Sequence, residues 1–253
     1  MNKICVLGSM NMDLVLKVKD MPKVGETILS KSFQKIAGGK GANQAVAAKR
    51  SGAEVFMISK IGKDENGREL RDKLVEDNID VKYVFEDRIE PTGMALIMVN
   101  DNGNNSIIVN AGSNMTLTKD EIHSAENLIK ESDIIISQFE TPEDITIEAF
   151  KIAKENGKVT ILNPAPAKKI KDELLNYTDI IVPNETEAEL LTGIEIKYIE
   201  DAKKAGDIFL GKGVKFAIIT LGEKGAALIG KDFCEIVPAY RVNAIDTTAA
   251  GDS

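Results

Sequence analysis

Two short stretches near opposite ends of the chain could hold an anion and move a proton beside it. The last eight residues read Asp246-Thr247-Thr248-Ala249-Ala250-Gly251-Asp252-Ser253. Small side chains leave backbone N–H groups free to converge on a phosphate, above all where a helix begins. Asp252, directly after them, is then placed to accept a proton from an attacking hydroxyl. An Ala/Gly turn capped by Asp would use the same residues. The second stretch is Gly38-Gly39-Lys40-Gly41-Ala42-Asn43. A Walker A loop needs a glycine where this chain has Gln34 and a Ser or Thr where it has Gly41, so that motif fails. The dinucleotide spacing G-x-G-x-x-G is missing as well. Two readings stay open: a structural turn before a helix, or paired glycines that let the backbone approach a sugar while Lys40 and Asn43 reach its hydroxyls.

The only histidine, His123, lies in a polar helical stretch. Ser-His-Asp chemistry, histidine-rich metal sites and a histidine base are thereby set aside. Carboxylates, lysine and backbone amides remain. The formal net charge of −8 argues against a generic nucleic-acid or anionic-membrane surface. It does not argue against a phosphate ligand, because backbone amides make a local anion site on an acidic protein. Cys5 and Cys234, each alone in an apolar run, read as buried reduced thiols. The N-terminal run does not read as a signal peptide, and no stretch approaches the roughly 18 apolar residues of a membrane span. A cytoplasmic protein is expected, so the sequons at Asn114 and Asn184 carry no weight.

The elements that must position these residues follow from periodicity. Lys3–Leu7 is a continuous apolar run, as in a parallel sheet covered on both faces. Residues 13–19 and 27–36 alternate and read as strands with one wet face. A helix from Gly41 to Arg50, a strand Val55–Ile61 and a helix Asp64–Asp77 follow. Asn100-Asp-Asn-Gly between apolar runs predicts a hairpin. Thr118-Lys-Asp-Glu is a capping box opening a helix to about Lys130. Strands and helices then alternate to Phe216–Leu221, with a short antiparallel hairpin after it. This βαβ rhythm predicts an α/β fold, a three-layer α/β/α sandwich with a mostly parallel central sheet. It also predicts one domain over 1–253 with a small β-sheet lid from about 10–36 and 91–110. Open parallel sheets bind ligands at the carboxyl ends of their strands. Asn11, Asp13, Glu140, Asn163, Asn184, Glu187 and Gly222 all fall at such ends.

Together the run Gly38-Gly39-Lys40-Gly41-Ala42-Asn43-Gln44-Ala45 and the terminal Asp246–Asp252 resemble the two signatures of the ribokinase-like (PfkB) family of sugar kinases, over Val6–Ser253. The resemblance implies transfer of the ATP γ-phosphoryl group to the 5-hydroxyl of D-ribose. It implies Asp252 as catalytic base and an anion hole at Ala249, Ala250 and Gly251. Asn11, Asp13, Gly39, Lys40, Asn43 and Glu140 would hold the sugar, and Asn184, Thr220 and Gly222 the nucleotide. Glu187 would serve Mg2+ through water, while Asp246 and Thr248 would serve a monovalent cation, K+. A homodimer through the lid strands is also implied. Another pentose, a nucleoside or a fructose phosphate stays open as substrate, as does a non-catalytic sugar-binding module. Family members continue past the aspartate, so the resemblance further implies that the C-terminal part of the family domain is absent and transfer defective in the chain as it stands.

Overall fold

The computed structural model describes residues 2–241 and 250–252. Its main sheet has nine strands: β1 (Lys3–Leu7), β4 (Glu54–Gly62), β5 (Asp80–Asp87), β8 (Ile134–Ser137), β9 (Val159–Leu162), β10 (Ile180–Ile181), β11 (Phe216–Thr220), β12 (Ala226–Gly230) and β13 (Phe233–Val237). A second sheet holds β2 (Asn11–Lys17), β3 (Ser32–Gly38), β6 (Gly93–Val99) and β7 (Asn105–Asn110). The main sheet runs β13-β12-β11-β10-β9-β8-β1-β4-β5, parallel from β11 to β5, with the pairs β11–β12 and β12–β13 antiparallel. Sequential order reverses at β1, which lies between β4 and β8, and a crevice opens at such a switch point.

Helices cover both faces, as the apolar strands require. In β1, Cys5 and Leu7 enter one core while Val6 enters the other, the two-residue alternation of a strand buried on both sides. The second core is closed by α1 (Lys40–Arg50) and α2 (Glu65–Glu76), through Ala42, Ala45, Leu70 and Leu74. The first is closed by α3 (Lys119–Ser124), α4 (Glu126–Glu131), α5 (Glu143–Glu155), α6 (Asp172–Asn176), α7 (Glu185–Thr192) and α8 (Ile199–Gly211). The fold class is therefore the one expected.

The lid sheet is β3-β2-β6-β7, with β2 parallel to β6 and antiparallel to β3. Its strands start close to the expected bounds, although residues 27–31 are not strand. Three details differ from the sequence reading. Asp80–Asp87 forms edge strand β5, which the sequence reading passed over, because charged residues alternate along it and Val84 is its one fully buried side chain. The helix expected from Thr118 to Lys130 breaks at Ala125, whose N–H is shared between Glu121 O (3.3 Å) and Ile122 O (3.0 Å), a tightened turn. Cys234 is half-buried rather than buried, whereas Cys5 is enclosed, and burial pushes its thiol up to about 12. Among the described residues, no helix is long and apolar enough to cross a membrane.

Candidate active site

The glycine turn shapes the floor of the crevice. Gly39 precedes α1 with φ +94°, a left-handed conformation that β-carbon-bearing residues rarely adopt. That turn carries the chain from lid strand β3 into α1 and lays the first turn of α1 against the β1–β2 connection. Ala42 N–H donates to Ser9 O at 3.0 Å, and a side chain on Gly41 would lie 2.6 Å from Ser9 N. Contact this close needs glycine, so Gly41 serves packing of backbone on backbone.

Glu140 gathers the surrounding groups. Its carboxylate accepts from Ser9 Oγ, from Lys40 N–H at 3.2 Å and from Asn11 Nδ2 at 3.4 Å. Asn11 is held in turn by Asn114, whose Nδ2 donates to Asn11 Oδ1 at 2.7 Å. Asp13 lies on β2 two residues on. Burial first, then the charges of Glu140 and Asp252, push its carboxyl up to about 6. The three carboxylates thus share one electrostatic environment, the arrangement that separates protonation states at reaction sites.

The two ends of the chain meet here. Asp252 Oδ2 accepts from Asn43 Nδ2 at 3.0 Å, and Asp252 Oδ1 lies 3.8 Å from Lys40 Nζ. The Asp252 side chain is only 8% exposed, against 29% for Lys40. Asp252 ends a 3-10 turn, Ala250–Asp252, with Ala250 and Gly251 exposed beside it. Ala249, Asp246 and Thr248 lie outside the described residues.

A second group stands along the same sheet edge. Asn184, beyond β10, is bridged in parallel to Thr220, the last residue of β11, and Thr220 N–H donates to Pro183 O at 2.9 Å. Gly222 opens a 3-10 turn with φ +55°. Asn184 caps α7 and exchanges bonds with Glu187: Glu187 N–H to Asn184 Oδ1 at 2.8 Å, Asn184 N–H to Glu187 Oε2 at 2.9 Å. That capping box occupies one oxygen of Glu187. Among the described residues there is no cluster of three metal-ligating side chains.

Sequence reasoning missed Ser9, Asn114, Gln44 and Gln138. Asn114 stood out only as a sequon, yet it is 1% exposed and committed to Asn11 and Met10. Ser9, following Gly8 at the end of β1, carried the one signal available, a polar residue at a parallel strand's end.

The glycine turn and the Asp252 carboxylate thus stand together beside the switch point of the parallel sheet. The pfkB family carbohydrate kinase model matches residues 1–253, and the chain belongs to that family. It is a carbohydrate kinase, a phosphotransferase with an alcohol acceptor. The chain is 44% identical to a ribokinase of Staphylococcus aureus, over 100% of this chain and 83% of that protein. It is 38% identical to a deoxyribokinase of Salmonella typhi, over 99% of this chain and 82% of that one. The structure of an Arabidopsis thaliana ribokinase complexed with ribose and ATP superposes with a TM-score of 0.92 at 33% identity, covering 100% of this chain and 83% of that chain.

Proposed function

We propose that this protein phosphorylates D-ribose at its 5-hydroxyl with ATP, giving ribose 5-phosphate and ADP. The observation that carries the reading is the meeting of Asp252 with Lys40 and Asn43, residues more than two hundred positions away in sequence. The relatives named ribokinase, one of them holding ribose and ATP, fix the acceptor.

In this mechanism Asn11, Asp13, Gly39, Lys40, Asn43 and Glu140 form the sugar half-site. Asp13 and Glu140 accept from sugar hydroxyls, while Lys40 and Asn43 donate. Asp252 takes the proton of the 5-hydroxyl as the new O–P bond forms and the bond from the γ-phosphorus to the β–γ bridging oxygen breaks. Backbone N–H groups of Ala249, Ala250 and Gly251 receive charge on the phosphoryl oxygens. Asn184, Thr220 and Gly222 hold the nucleotide. Glu187 would hold Mg2+ through water, and the ion would supply charge neutralisation for the transferring phosphate. A monovalent cation, K+, at Asp246 and Thr248 completes the proposal, and activity in potassium against choline chloride tests it. The lid excludes water, which otherwise competes as acceptor. We also infer a homodimer through the lid strands and a cytoplasmic location.

Asp252→Asn is the direct test. Turnover is expected to fall by about 10²–10⁴-fold, with D-ribose affinity by calorimetry little changed. Equal turnover in the variant would remove Asp252 from the role. A sugar panel including 2-deoxyribose separates the two activities named among the relatives.

A further inference from the structure

Two buried glutamines and a half-buried asparagine join the helix of the glycine turn to the ends of three strands. Gln138, fully buried just past β8, donates through Nε2 to Gln44 Oε1 at 2.6 Å. Gln44, on α1 and 8% exposed, donates through Nε2 to Asn163 Oδ1 at 3.3 Å. Asn163, just past β9, donates through Nδ2 to Val182 O at 2.8 Å. A backbone carbonyl can only accept, so Val182 fixes which way the Asn163 amide points, and each amide fixes the next. The series ends on Gln138 Oε1, which is buried, has no hydrogen-bond partner among the described residues and faces Gly8.

The members of the series flank the reacting groups. Gln138 lies two residues before Glu140, and Val182 two before Asn184. Gln44 lies four residues after Lys40, on the same helix face, and next to Asn43. Rolling α1 about its axis would carry Lys40 and Asn43 away from Asp252. We infer that Gln44 is a positioning residue for phosphoryl transfer: the amide series sets the roll of α1, and so keeps the Asn43 and Lys40 donors on Asp252. The inference rests on the kinase reading above for its rate effect, but not for its geometry.

Gln44→Met keeps the volume and removes both hydrogen bonds. In this chain the expected result is a turnover lowered about tenfold, as for a reacting group displaced by a fraction of an ångström. D-ribose affinity by calorimetry should fall by a smaller factor than turnover, because α1 supplies only the Lys40 and Asn43 contacts while Asp13 and Glu140 lie outside it. A second readout needs no substrate: the Asn43 side-chain amide signals in a nitrogen-15 spectrum should move toward those of a free amide. Wild-type turnover from Gln44→Met well below its melting temperature, or unmoved Asn43 signals, would overturn the inference. If wild type shows neither D-ribose binding by calorimetry nor sugar-dependent ATP consumption, the kinase reading fails, and the Asn43 signals alone decide the positioning role. Should Gln44→Met not fold, Gln138→Met applies the same measurements from the other end, with the same expected shifts.

Discussion

Asp13 bears the largest electrostatic load in the crevice, and its behaviour with pH follows in sign. Its carboxyl stands at about 6 against an ordinary 3.8, raised by burial and then by Glu140 and Asp252. Folding therefore disfavours the charged form. The associated stability is fully present below pH 3.8 and is lost as pH rises through about 6. Asp13→Asn should raise the melting temperature of the sugar-free protein at about pH 8 and give little gain near pH 4, read by calorimetric scans. Sugar hydroxyls need the carboxylate as acceptor, so wild-type D-ribose affinity should weaken as the solution is acidified through about pH 6. A pH-independent affinity would take Asp13 out of the sugar's contacts. Much at this scale was legible beforehand. Lys40, Asn43 and Asp252 have chemistry that spacing and composition expose, and they meet. Gln44 and Gln138 do not, because a contact between amides 94 residues apart leaves no local pattern.

The helix of the glycine turn is held by backbone proximity. A methyl on Gly41 would sit 2.6 Å from both Gly8 C and Ser9 N, main-chain atoms that cannot swing aside. Gly41→Ala should lower stability by about 1–3 kcal/mol, read as a shifted urea midpoint, and displace Lys40 with it. A variant as stable as wild type would show that the β1–β2 connection yields. Elements with an explicit start signal were readable: the capping box at Thr118 is formed, with Glu121 N–H on Thr118 Oγ1 at 3.3 Å and Thr118 N–H on Glu121 Oε2 at 2.8 Å. The Asn100–Gly103 hairpin likewise joins the antiparallel strands β6 and β7. Edge strand β5 had no such punctuation and one buried side chain, so its pairing with β4 is a tertiary fact rather than a local one.

The whole molecule presents a lid whose outer strands are not covered. All of β7 and all but the last residue of β3 are exposed, including Phe33, Ile36, Ile107 and Ile108. Apolar, open-edged strands of this kind favour pairing with another sheet. The proposed dimer predicts that Ile107→Lys with Val109→Lys, which alters one face of β7, shifts sedimentation toward the monomer. Wild type sedimenting as a monomer at every concentration would sink it. The lid's connectivity matters for a different reason. Asn11 and Asp13 ride on its own strand β2, whereas Glu140 lies three residues past β8 of the main sheet. The two sheets therefore meet along the middle of the sugar's cradle. In the proposed site, any swing of one sheet against the other would change the separation between the two halves of the grip on the acceptor.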